Sequence, residues 1–216
     1  VNDLIQKDKE LVVFLNSFNS IFFDNFCLFV TKQIHWTPIF LLFFYLLYRK
    51  IGWKKLGIAL LFISFILMVC DQTTNLFKFS FERLRPINDL DIKDNLRVLI
   101  RRSSYSFFSG HASNSMATTL FLFLIFRKHY KYGFLLFLFP LIFAYSRVHL
   151  ALHFPSDILA GYFFGTIVGL FFYLLYKKYN SDNFKNKNKF LILTTVFVLL
   201  YFVILKFSSL KFQVKN

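Results

Sequence analysis

Apolar residues fall into six long runs, at about 36–48, 54–77, 112–126, 132–146, 157–176 and 190–207, separated by short stretches rich in Lys, Arg, Asn and Ser. Runs that are hydrophobic on all sides read as helices buried in a bilayer. Several are shorter than the roughly 20 residues an upright span requires. Flanking helical turns, snorkelling Lys and Arg side chains or a locally thinned bilayer can make up the difference. Ahead of the runs, residues 8–31 mix Leu, Val, Ile and Phe with Asn16, Asn19, Asp24 and Asn25. That mixture is too polar to cross alone and predicts amphipathic helices lying in the interface, within about 4–34. A crossing there would change only the side on which the N-terminus lies. Trp36-Thr37-Pro38 open the first run, with Trp at headgroup depth and Pro in the first helical turn. The pattern predicts an all-α, polytopic membrane helical bundle of about six transmembrane helices, forming a single domain over 1–216. Its core is expected at about 54–177, with an additional span at about 190–207.

Composition excludes the main alternative: 56% hydrophobic residues, 34 Phe and a mean hydropathy of +0.53 do not describe a soluble domain. The net charge of +15 does not indicate nucleic acid, because the cations bracket apolar runs instead of covering a folded surface. Three clusters mark alternate ends of the runs: Arg49, Lys50, Lys54 and Lys55; then Arg127, Lys128 and Lys131; then Lys177, Lys178, Lys185, Lys187 and Lys189. The positive-inside rule puts those connections in the cytoplasm and the connections at about 78–111 and 147–156 on the opposite face. The 78–111 connection runs against the rule, since it carries seven Lys and Arg, accompanied by Glu82, Asp89, Asp91 and Asp94. Abundant Phe, Lys, Asn and Ile suggest a bacterial inner-membrane protein, with these two connections facing the periplasm. The first dozen residues, with Asp3, Lys7, Asp8, Lys9 and Glu10, are too polar for a cleavable signal peptide. Cys27 and Cys70 lie in apolar surroundings without metal-ligand spacing, which leaves open inert thiols or one disulfide.

The residues able to do chemistry sit in those two connections. Arg147, His153 six positions on and Asp157 four beyond that supply an anion clamp, a nucleophile and a group to orient it, at one membrane boundary. Ser109-Gly110-His111 precede a span, where free backbone amides and the helix dipole favour an anion. Lys78 and Arg85 are seven apart, so a helix continuing the second span would carry both on one face, about 10.5 Å apart along its axis. Pro86 would then stop that helix.

Together, Lys78 to Arg85-Pro86, Phe108-Ser109-Gly110-His111 and Ser146-Arg147 to His153 and Asp157 resemble the three-part signature of the type 2 phosphatidic acid phosphatase (PAP2) superfamily of integral membrane lipid phosphatases. The pattern is K-x6-R-P, P-S-G-H and S-R-x5-H-x3-D. The first and third parts match at every defined position, and the second has Phe108 in place of Pro. That exchange removes a conformational lock and predicts a looser loop or an altered lipid contact without loss of chemistry. The resemblance implies that His153 attacks phosphorus and becomes a phosphohistidine, that Asp157 orients it, and that His111 protonates the leaving oxygen. It assigns Lys78, Arg85, Ser109, Gly110 and Arg147 to the phosphate, and requires neither metal nor cofactor. His149 occupies a variable position of the pattern and reads as structural. Vanadate-dependent haloperoxidases share the superfamily core, but the many spans favour the lipid phosphatase branch. Undecaprenyl diphosphate is the first expected substrate, with phosphatidylglycerophosphate and the lipid A 1-phosphate as alternatives. A non-catalytic protein that binds or transports lipid phosphates is the competing class. It would not require the nucleophile, orienter and acid found in His153, Asp157 and His111. Oligomeric state is not encoded in any of these features.

Overall fold

The computed structural model describes residues 2–18 and 20–181, so the expected span at 190–207 lies outside the described residues. Six α-helices follow one another among the described residues: α1 (Asn2–Ser17), α2 (Ile21–Val30), α3 (Thr37–Phe81), α4 (Gly110–Phe126), α5 (Leu138–His149) and α6 (Pro155–Tyr179). Among the described residues there is no β-strand, as the apolar runs predict. The runs at 36–48 and 54–77 are two segments of α3, broken at Gly52, whose φ of +75° and ψ of 168° only glycine adopts readily.

Among the described residues, two helical units can cross a bilayer by length and composition, Gln33–Asn88 around α3 and Pro155–Tyr179, which is α6. The bent pair α1 and α2 together would make a third, as a broken span or a re-entrant loop. The sequence predicts five spans over the same stretch. Two of the five are the halves of α3, while α4 has 17 residues and α5 has 12, about 25 and 18 Å of helix. These shorter helices pack among the long ones.

Two apolar clusters hold the fold. In one, Phe62 and Cys70 of α3 meet Phe121 of α4 and Phe172 and Tyr176 of α6. The α4–α6 contact is set by three glycines one turn apart. A Cβ on Gly161, Gly165 or Gly169 would lie 2.6, 2.5 or 2.7 Å from the carbonyl oxygens of Ser109, Ser113 and Ala117 respectively. Small residues at this spacing let two helix backbones touch, which is how helices associate where lipid removes the hydrophobic drive. The approach also fixes the N-terminus of α4 against that of α6, with the Ser109 amide donating to the Asp157 carbonyl at 3.1 Å. In the second cluster, Val12 of α1 and Cys27 of α2 pack with Ile87, Ile92 and Leu96 and with Leu150 and Leu152. The N-terminal helices therefore lie over the two motif-bearing connections. Cys27 and Cys70 sit in different clusters and are both free thiols, which rules out the disulfide.

Candidate active site

Asp157 is fully buried in the first turn of α6. Its Oδ2 accepts from the Phe154 amide at 2.9 Å and from the Ser106 hydroxyl, and its Oδ1 accepts from Arg83 Nη1 at 2.7 Å. Pro155, with no amide hydrogen to satisfy, starts the helix so that the His153–Asp157 offset brings the two side chains together. His153 Nδ1 lies 3.5 Å from Asp157 Oδ2 and 3.4 Å from Ser106 Oγ. Its Nε2 is 3.2 Å from Arg85 Nη1. A guanidinium only donates, so Nε2 accepts and the proton of the neutral ring belongs on Nδ1, facing Asp157. Burial first, then the positive charges of Arg85, Arg147 and Lys78, hold the His153 imidazole well below its ordinary range. A neutral ring with its Nε2 lone pair turned toward the cations is suited to attack an electrophilic phosphorus.

Arg85 is pinned by the loops around it. Its Nε donates to the Ser104 carbonyl at 2.7 Å, Nη2 to the Ser104 hydroxyl at 2.9 Å, and Nη1 to the Leu152 carbonyl at 2.6 Å. Arg147, in the last turn of α5, donates from Nη1 to Thr31 Oγ1 at 3.0 Å, while its buried Nε has no partner among the described residues. Lys78, Gly110 and His111 line one cavity of about 300 Å³ between α3 and α4. Ser109 caps α4, its hydroxyl accepting from the Ala112 amide at 3.4 Å.

The structure thus brings the predicted residues of all three motifs to one end of the bundle, with two corrections. Lys78 and Arg85 do not share a helix. α3 ends at Phe81, Glu82 turns left-handed (φ 47°), and Arg85 is extended. Pro86 begins a separate short 3-10 turn and is not the helix stop. The chain leaves the helix early because Arg83 and Arg85 are drawn across to α6 and the preceding loop. Phe108 is the second correction. It is neither in a loose loop nor against lipid, but buried between Phe77 of α3 and Phe164 of α6 at centroid distances of 5.3 Å each. His149 is structural, as read, with Nε2 2.8 Å from Asp24 and Nδ1 3.1 Å from the Leu15 carbonyl.

Sequence reasoning missed the residues that support the site. Arg83 bridges Asp157 to Asp8 of α1, where its Nη2 donates at 2.8 Å, and its guanidinium lies 4.0 Å over the Phe154 ring. Asp8 also accepts from the Ser156 amide at 2.9 Å. Ser104, Ser106 and Thr31 complete the supports of Arg85, Asp157 and Arg147. No spacing rule reaches these pairs, which are 19 to 148 residues apart, in most cases through loops without periodicity.

Known proteins resemble this chain over most of its length. A lipid A 4'-phosphatase of Bacteroides thetaiotaomicron is 31% identical over 175 residues, covering 79% of this chain and 77% of that protein. A lipid A 4'-phosphatase of Porphyromonas gingivalis is 29% identical over 179 residues, covering 80% and 74%. The crystal structure of a transmembrane PAP2-type phosphatidylglycerolphosphate phosphatase from Bacillus subtilis superposes with a TM-score of 0.64 at 18% identity, over 85% of this chain and 90% of that one, and so shares the fold. Residues 55–181 match the PAP2 superfamily. They span the second half of α3 through α6 and all three motifs, and the chain belongs to that superfamily as a membrane-embedded phosphatase.

Proposed function

We propose that this protein is a metal-independent phosphatase of lipid phosphate monoesters that works through a phosphohistidine on His153. The observation that carries the reading is the orientation of that ring, with Nδ1 toward Asp157 and Ser106 and Nε2 beside Arg85. In the first step Nε2 bonds to phosphorus, the bond from phosphorus to the lipid oxygen breaks, and that oxygen takes a proton from His111. In the second step His111 accepts a proton from water, water oxygen bonds to phosphorus, and the P–N bond breaks to release inorganic phosphate and neutral His153. Lys78, Arg85 and Arg147, with the backbone at Ser109 and Gly110, stabilise the charge on the equatorial oxygens, the task a metal ion performs elsewhere.

The two curated relatives favour a phosphorylated sugar lipid of the lipid A kind as substrate. Neither supports the undecaprenyl diphosphate expected from the sequence. The alternation of basic clusters favours a site on the periplasmic face of a bacterial inner membrane. Purified protein given a panel of lipid phosphates in the presence of chelator should release phosphate from the sugar monoester, and vanadate, a mimic of five-coordinate phosphorus, should inhibit it. Alkaline quenching during turnover should leave a phosphoryl group on His153 by mass spectrometry. A strict need for added magnesium, or phosphorylation at another residue, would overturn the mechanism.

A further inference from the structure

The cavity that holds Lys78 and His111 has a polar floor that phosphate chemistry does not explain. α3 interrupts its apolar run with Asp71-Gln72-Thr73-Thr74-Asn75, and Asp71, Thr74 and Asn75 line this cavity together with Asn114 of α4. A carboxylate within an otherwise apolar membrane helix is costly unless it faces a polar partner or ligand. Asn114 Nδ2 donates to Asp71 Oδ1 at 2.7 Å, which turns the amide so that its Oδ1 is left, buried, without a partner among the described residues. Thr74 is 2% exposed, and its Oγ1 is likewise buried without a partner. Oxygen atoms left unsatisfied in this way cost free energy that a ligand's donors can recover.

We propose that this polar floor is a leaving-group subsite, which selects lipids carrying a neutral, hydroxyl- or amide-bearing unit such as an acylated amino sugar between the phosphate and the hydrocarbon chain. The inference rests on the catalytic reading above. In-line displacement puts nucleophile and leaving oxygen on opposite sides of phosphorus, and the cavity contains His111 but not His153, so it lies on the leaving-group side. Asp71 is two helical turns below Lys78 on the same face of α3, about 10 Å toward the membrane interior. One turn beyond Asn114, Thr118 of α4 lines an apolar groove with Trp36, Phe40, Phe43 and Leu122. From the motif end inward the protein therefore presents cations, then hydrogen-bond acceptors, then an apolar groove. That is the order of phosphate, hydroxylated unit and acyl chain in a phosphorylated sugar lipid. An alkyl or prenyl phosphate offers nothing to the acceptors, and a second phosphate in the leaving group would meet the Asp71 carboxylate.

The test compares kcat/KM for an acylated glucosamine phosphate with that for dodecyl phosphate, which needs the same protonation of its leaving oxygen but carries no hydroxyl or amide. Wild-type protein should prefer the sugar phosphate by at least about tenfold, the effect of about one net hydrogen bond to acceptors that the alkyl phosphate leaves unpaired. Asp71→Asn should reduce that ratio by about tenfold. Asn75→Ala, on the exposed part of the same helix face, gives the same readout where Asp71→Asn does not fold. Turnover of both substrates with a ratio that neither substitution changes would overturn the subsite and leave the phosphatase reading standing. Failure of the wild-type protein to release phosphate from either lipid would overturn the phosphatase reading and the subsite with it.

Discussion

Arg83 lies outside the three motifs, yet its two terminal nitrogens tie Asp157 of α6 to Asp8 of α1. Hydrogen bonds to charged groups are worth about 1.5–3 kcal/mol, and this one holds the carboxylate that faces His153. Arg83→Gln should therefore lower kcat by about ten- to a hundredfold while leaving KM within about twofold, since Arg83 positions Asp157 without touching substrate. Steady-state kinetics decide between this and a purely structural role, which would reduce the amount of active enzyme without lowering turnover per folded molecule. His153 carries a second prediction. Because burial and neighbouring cations depress its affinity for a proton, its lone pair should stay free well into acid, and loss of the nucleophile should set in only well below the ordinary imidazole value of about 6.5. A 15N NMR titration of the His153 ring, assigned by its loss in His153→Ala, with a midpoint near about 6.5 would show an unshifted ring.

At the level of helices, the α4–α6 contact decides whether the second and third motifs meet. Gly165→Ala would push a Cβ to 2.5 Å from the Ser113 carbonyl oxygen, so α4 has to move, at a cost of about 1–3 kcal/mol. A lowered melting temperature and reduced turnover should appear together, because the same contact carries the Ser109–Asp157 backbone hydrogen bond. Gly57→Ala, at an exposed helical position with open space around it, should leave both unchanged. The helices themselves were legible because an unbroken apolar run in lipid has few options other than a helix. The motif residues were legible because each lies at an element boundary with fixed spacing. The end of α3 was not, since helical spacing alone continues Lys78 to Arg85, and only the pull of Asp157 and the Ser104 and Leu152 carbonyls draws the chain away. Phe108 was misjudged for a related reason. Its neighbours Phe77 and Phe164 come from distant helices, and no local rule announces them.

Across the whole molecule, the N-terminal helices account for the charge that obscured the topology. Of the seven cations in the 78–111 connection, Arg83 pairs with Asp8 and Arg97 with Asp24, while Arg85 is buried in the site and Lys78 lines its cavity. Lys93, Arg101 and Arg102 remain, alongside Glu82 and Asp94, because Asp89 and Asp91 pair with Lys9 at 3.0 and 2.5 Å. Once paired and buried charges are set aside, the connection no longer competes with the basic clusters at 49–55, 127–131 and 177–178, and the positive-inside rule favours placing it outside. Single cysteines at Leu90, which is 73% exposed, and at exposed Ser181 test this directly in a background of Cys27→Ser and Cys70→Ala. In intact cells, a membrane-impermeant thiol reagent should label Leu90→Cys and spare Ser181→Cys, and permeabilisation should expose both. Labelling of Ser181→Cys alone would invert the bundle and move the site, with its substrate, to the cytoplasmic leaflet.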